Sequence, residues 1–196
     1  MNLEDLINHA KSYDELDMPF TSSTFWQKAV EQKPSAYNLT QYANQLRLCR
    51  KFAQAEMFFN KVDVTTIPDS YKCVFYDNKG INYSDQGKID EAIETYKNSI
   101  ASGQDQTHTY IFLGVLLANQ GKLEEAEQIL HQALTKEGDI DEVYYNLSTV
   151  YARKGNLQEA IRTMKECLKL DPKFNNAEKW LNDFVMIERL KQKPKF

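Results

Sequence analysis

The sequence predicts an all-α solenoid of stacked helix pairs, and three observations predict it. The first is a fixed period: Gly87, Gly121 and Gly155 recur at steps of 34 residues, a spacing typical of repeat architectures. The second is that columns of mixed chemistry share this period. Glu91-Ala92, Glu125-Ala126 and Glu159-Ala160 stand in register, as do Tyr76, Tyr110 and Tyr144, and Gly80, Gly114 and Ser148. The third is that each period holds two segments whose apolar residues return every three or four positions, the spacing of one helix face. Such a stack is quasi-one-dimensional, so its working part is a surface.

Composition narrows the function classes. Among 196 residues there are only 7 Gly and 5 Pro, which argues against disorder and collagen-like order. Charged residues make up 27% with a net charge of −4, and no nucleic-acid partner is expected from so acidic a balance. The longest apolar run, Ile111 to Ala118, is too short to cross a bilayer, so no membrane insertion is expected. Met1-Asn2-Leu3-Glu4-Asp5 lacks a positive start followed by an apolar stretch, so no signal peptide is expected. The three cysteines, Cys49, Cys73 and Cys167, are widely spaced and show no metal-ligand pattern. A cytoplasmic, reduced setting is the expectation.

Residues 1–35 read as a degenerate helical pair. Leu3, Leu6, Ile7 and Ala10 make one face, and Phe25, Trp26, Ala29 and Val30 the next, ending near Lys33-Pro34. Asp17 to Ser23 is expected to join them. In residues 36–72, Leu39, Tyr42, Ala43 and Leu46 face Phe52, Ala55, Phe58, Phe59 and Val62. Arg50 stands there where the other copies turn on glycine, and three extra residues fall within Asp63 to Asp69. Residues 73–106 carry Tyr76, Gly80 and Tyr83, then Ile89, Ala92, Ile93, Tyr96 and Ile100, and close on Ser102-Gly103.

In residues 107–140 the run Tyr110 to Leu117 is apolar throughout, the mark of a helix buried on nearly all sides. Gly121 turns the chain, and Leu123, Ala126, Ile129, Leu130, Ala133 and Leu134 form the partner's face. Residues 141–174 repeat this with Tyr144, Leu147, Ser148, Val150 and Tyr151, then Leu157, Ala160, Ile161, Met164, Cys167 and Leu168, stopped by Asp171-Pro172. Residues 175–192 form one more helix, its apolar face made of Ala177, Trp180, Leu181, Phe184, Val185 and Ile187, as a terminal cap. The basic tail Lys191-Gln192-Lys193-Pro194-Lys195-Phe196 is expected to fray. The small columns have a packing cause: Gly80, Gly114 and Ser148 sit where a neighbouring helix must come close.

Residues 36–174 resemble the tetratricopeptide repeat. Leu113-Gly114, Tyr151, Gly121, Gly155, Ala92, Ala126, Ala160, Tyr96, Ala133 and Pro172 match its pattern. Lys79 replaces the usual Leu before Gly80, Ser99 and Cys167 replace the later Ala, and Gly138 stands in place of Pro. The resemblance implies a right-handed solenoid of about four helix-turn-helix repeats (36–72, 73–106, 107–140 and 141–174) between helical ends. It implies too that the first helix of each pair lines a concave groove.

Carried over by register, the groove residues are Asn44, Asp77, Asn78, Ile81, His108, Ile111, Phe112, Val115, Asn119, Glu142, Tyr145, Asn146 and Arg153. Tyr37, Thr40, Gln41, Arg47, Ser84, Asp85 and Thr149 extend the set. Phe112, Ile111, Val115, Ile81 and Tyr145 would anchor a partner, with Asn78 and Asn146 bonding its backbone. Co-chaperones that resemble this chain hold the C-terminal carboxylates of heat-shock chaperones with paired cations. The matching places here are Thr40, Asn44, Asn78, His108 and Phe112, or Asp77, Ile81, Phe112, Glu142 and Asn146. Neither set has the cations that two carboxylates need.

Catalytic chemistry is not expected. His9, His108 and His131 lie far apart in sequence, and no HExxH, CxxC, GxSxG or phosphate-loop pattern occurs. Cys167 reads as a small buried residue, Cys49 and Cys73 lie near expected helix ends, and the tyrosines read as core. No cofactor and no metal are expected. The expected function is an adaptor or scaffold that takes an extended peptide or amphipathic helix of another protein in the groove. A chaperone for a secreted or aggregation-prone client and a self-associating structural unit are the alternatives.

Overall fold

The computed structural model describes residues 1–103 and 106–191. The tail from Gln192 to Phe196 lies outside the described residues. Among these residues there are eleven α-helices, one 3-10 turn and no strand, in two compact units, Met1–Gln104 and Asp105–Phe196. The architecture is the all-α succession of helix pairs that the period predicts.

The first unit holds α1 (Leu3–Glu15), α2 (Pro19–Gln32), α3 (Ala36–Leu48), α4 (Phe52–Phe59), α5 (Asp69–Asp85) and α6 (Ile89–Ala101). Asn2 opens α1 with a capping box, its Oδ1 accepting from the Asp5 N–H at 2.8 Å while the Asn2 N–H donates to Asp5 at 3.2 Å. The α1–α2 joint corrects the sequence reading. Pro19 to Ser23 are helical, and only Leu16 to Met18 connect. Proline suits the first helical position, where its missing N–H has no partner to lose. The buried hydroxyls of this stretch are occupied. Ser22 Oγ donates to the Ala10 carbonyl at 3.1 Å and to the Asp14 carboxylate, which also accepts from Trp26 Nε1 at 3.1 Å. One acid thus ties α2 to α1 beneath the fully buried Trp26 indole.

The turn after α3 follows the glycine turns although it holds Arg50. Arg50 adopts φ 60, beside Gly87 at 73, Gly121 at 80 and Gly155 at 79. The Arg50 N–H donates to the Arg47 carbonyl at 2.7 Å and the Lys51 N–H to the Leu46 carbonyl at 2.8 Å. The same two bonds recur from Gly87 and Lys88, from Gly121 and Lys122, and from Gly155 and Asn156. All four are Schellman closures. Past α4, a 3-10 turn at Val64–Thr66 takes up the extra residues, and α5 then starts at Asp69. Cys73 therefore lies one turn inside α5 rather than near its end.

The second unit holds α7 (Thr107–Asn119), α8 (Leu123–Ala133), α9 (Ile140–Arg153), α10 (Leu157–Leu170) and α11 (Ala177–Lys191). α7 is enclosed on most of its surface, as its apolar run predicts. The small columns close as expected within each unit. A Cβ on Gly80 would stand 2.7 Å from Tyr96 Cζ, and one on Gly114 would stand 2.7 Å from Leu130 Cγ. Ser148, the polar member of that column, donates from Oγ to the Ala160 carbonyl at 2.7 Å. Cys167 is fully enclosed, and burial, reinforced by Asp141 and Asp171, pushes its thiol up to about 11. α11 departs from expectation. Ala177 and Phe184 pack inward, but Trp180 is 43% and Ile187 42% exposed. The apolar arc of α11 is wider than the surface that α10, the helix it mainly packs on, can cover. No described helix is long and apolar enough to cross a membrane.

Candidate functional site

The sequence places its candidate residues on the first helix of each pair: α3 and α5 in the first unit, α7 and α9 in the second. The two sets turn out differently. In the first unit the polar members are occupied within the fold. Asn44 Oδ1 accepts from Arg47 at 3.2 and 3.0 Å, and the same guanidinium reaches Asp85 at 3.3 Å. Asp77 is only 5% exposed and accepts from Cys73 Sγ at 3.2 Å and Ser99 Oγ at 3.1 Å. It therefore joins α5 to α6 and does not face a partner. Asn78 Nδ2 donates to the Val74 carbonyl at 2.8 Å, and Ile81 is half-buried. Thr40 is enclosed and bonded to the Ala36 carbonyl at 2.8 Å.

In the second unit α7 and α9 lie side by side, and their facing positions enclose a cleft of about 60 Å³. Gly114, Val115, Ala118 and Asn119 come from α7, Asn146, Thr149, Val150 and Arg153 from α9, and Leu130 of α8 forms the floor. The volume admits a few waters or one short aliphatic side chain. Five candidates from the sequence, Val115, Asn119, Asn146, Thr149 and Arg153, meet here. Gly114, Ala118, Val150 and Leu130 were not among them. Their signal was present in the small column, since Gly114 leaves the space that Leu130 fills from beneath.

The other candidates of this unit flank the cleft or lie apart from it. Phe112 is 36% exposed with its ring 6.0 Å from that of His108. Tyr145 is half-buried against the Phe174 ring at 5.1 Å. Glu142 sits in the first turn of α9, where burial, with Asp139 and Asp141 adding like charge, raises its carboxyl above the ordinary range and His108 opposes the shift. Ile111, expected as an anchor, is 2% exposed. It belongs to the core, because α7 is covered on several sides and not only on the face opposite the groove.

The cleft offers amides, a guanidinium and apolar walls, which are groups that bind. Asn146 Nδ2 donates to the Glu142 carbonyl at 2.9 Å, and Thr149 donates to the Asn146 carbonyl at 2.8 Å. Asn146 Oδ1 accepts no hydrogen bond among the described residues. Broader hollows lie along α8 and α10, one of about 310 Å³ lined by residues including His131, Tyr144, Arg162 and Glu166. The charges around them are largely paired already: Arg162 with Glu159 at 2.6 Å, and Lys154 with Glu127 at 2.6 Å and Glu124 at 3.5 Å.

Tetratricopeptide-repeat family profiles match residues 83–151 and 141–174. No curated protein matches the chain. Among solved structures, YrrB, a tetratricopeptide-repeat protein with an unusual peptide-binding site, is 18% identical with a TM-score of 0.69, over 89% of each chain. A thermophilic tetratricopeptide-repeat protein from Thermus thermophilus, TTC0263, is 17% identical with a TM-score of 0.67, over 94% of this chain and all of that one (100%). MamA from Desulfovibrio magneticus RS-1, from residue 41 onward, is 14% identical with a TM-score of 0.74, over 88% of this chain and 97% of its own. Identities this low speak to fold alone. Joined to the Schellman turns and the close-approach columns, the two profile matches identify residues 83–174 as tetratricopeptide repeats, and the structural likenesses show the same fold.

Proposed function

We propose that the chain binds another protein and that a peptide or amphipathic helix of that partner lies on the α7–α9 face. The observation that carries this reading is the cleft between α7 and α9, where apolar walls meet the Arg153 guanidinium, the Asn119 amide and the Asn146 Oδ1, none of them bonded among the described residues. An extended segment or a helix with a small apolar anchor suits such a surface. Phe112 and Tyr145, exposed and half-buried respectively, add aromatic area, the kind that dominates binding energy at interfaces. A peptide-binding site on YrrB supports the reading by analogy of fold. Asn44, Asp77 and Ile111 take no part in it, and Asn78 and Ile81 belong to the other unit.

The test is retention of a partner from native lysate by wild type and by Phe112→Ala/Tyr145→Ala, both first shown to melt alike, followed by affinity measurement with the purified partner. Loss of at least tenfold in the variant is expected, since truncating even one hot-spot side chain costs about 2 kcal/mol or more. Equal affinity would move binding off this face. One observation favours a second reading, self-association: Trp180, Met186, Ile187 and Leu190 leave an apolar stripe exposed on α11. Light scattering would then show a concentration-dependent dimer that Trp180→Ser/Ile187→Ser abolishes.

A further inference from the structure

The cations near the α7–α9 cleft are not equivalent. Lys154 is held by Glu127 and Glu124. Arg153, next to it and lining the cleft, has no ion pair among the described residues. Asn119 lines the same stretch, and its side-chain amide has no hydrogen bond among the described residues. A guanidinium beside an apolar wall is weakly hydrated and presents a planar fork of donors that matches a carboxylate. The wall here is Val115, Leu130 and Val150.

The far end of α9 has the opposite character. Glu142 precedes Arg153 by three helical turns, about 16 Å along the axis, with Asp139 and Asp141 beside it. The face is therefore polar along its length, and an acidic group is welcome at one end and repelled at the other. The cleft also limits size, because about 60 Å³ cannot take an aromatic ring.

We propose that the cleft recognises a partner segment carrying an Asp or Glu beside a short aliphatic residue. The carboxylate forks onto Arg153 with the Asn119 amide donating alongside, and the aliphatic side chain enters between Val115 and Val150. This inference rests on the α7–α9 face being the binding face. The repulsion at Glu142 orients the segment, so its acidic end lies toward the C-terminus of α9.

The test selects random twelve-residue peptides displayed on phage against the immobilised full chain, as wild type, Arg153→Glu and Val115→Trp. Val115→Trp fills the cleft without adding charge, and Asn146→Trp replaces it should the first variant melt early. Wild type is expected to enrich an acidic residue next to Ala, Val or Ile. Synthetic copies of these peptides should bind Arg153→Glu at least tenfold more weakly and be lost on the filled cleft, and Arg153→Glu should enrich basic residues instead. Peptides lost on filling the cleft but indifferent to Arg153→Glu would overturn the carboxylate assignment and leave the face standing. Peptides indifferent to both changes, or no enrichment over a blank support, would overturn the face as well.

Discussion

Replacing Gly114 by alanine puts a methyl group where the fold has no room. The new Cβ would stand 2.7 Å from Leu130 Cγ, 2.8 Å from Cδ2 and 3.4 Å from Cδ1, against a comfortable carbon–carbon separation of about 3.5–4.0 Å. Leu130 is fully buried and cannot swing into solvent. Overpacking of this kind costs roughly 1–3 kcal/mol, and alanine returns up to about 1 kcal/mol of helix propensity. A net loss of up to about 3 kcal/mol follows, read as a lower urea midpoint at unchanged slope. The cause can be isolated, because the three nearest atoms all belong to the Leu130 side chain beyond its Cβ. Leu130→Ala alone should cost about 2–5 kcal/mol through its cavity. In that background Gly114→Ala should become neutral or stabilising, a coupling of about 1–3 kcal/mol. An equal cost in both backgrounds would refute the claim that close approach of α8 sets the glycine.

Three further predictions concern single sites. Arg50→Gly should raise stability in urea by roughly 1 kcal/mol, because a left-handed conformation costs a non-glycine residue about 1–2 kcal/mol and the Arg50 side chain is exposed; Gly121→Ala should lower it by a similar amount. Ser148→Ala removes the bond to the Ala160 carbonyl and should cost about 1 kcal/mol by chemical denaturation. Glu142→Gln should raise Tm at pH 7 and have no effect near pH 4. The buried carboxyl keeps its proton to a higher pH than the value of 4.5 it has unfolded, so its charge costs stability above the raised pKa and the cost disappears as the pH falls below 4.5.

The features legible in the sequence were those that the backbone or a close contact imposes. Gly87, Gly121 and Gly155 could be read because a Schellman turn needs a left-handed residue. Arg50 could not, because an exposed position outside the core tolerates the strain and its residue type gives no sign of it. Ser22 and Ser23 looked like linker residues, since hydroxyls usually favour turns; the Ser22 bonds to the Ala10 carbonyl and to Asp14 appear only once α1 and α2 pack, and Ser23 bonds the Phe20 carbonyl within α2 itself. The cleft was half legible. Val115, Asn119, Asn146, Thr149 and Arg153 follow from the register of first helices, whereas Leu130 comes from a second helix and enters from below. Register gives the face a residue is on and not the use made of it. Asn44 and Asp77 lie on candidate positions and are taken up by Arg47, Cys73 and Ser99.

One column makes this distinction sharply. Asp85, Asn119 and Arg153 occupy the same place in successive periods and carry an acid, an amide and a cation. The packing columns next to it keep glycine, alanine or serine, because a neighbouring helix allows nothing larger. Asp85 is held by Arg47 at 3.3 Å, yet Arg153 has no acid to hold it among the described residues. An unpaired, exposed arginine at the last residue of α9 contributes to the fold only through the helix dipole, about 0.3–1 kcal/mol. Arg153→Gln should accordingly change stability in urea by less than about 1 kcal/mol, while an acidic peptide on the α7–α9 face loses affinity by tenfold or more. A larger drop in stability would mean that Arg153 supports the fold, and the cation at the mouth of the cleft would then need a structural explanation in place of a recognition one.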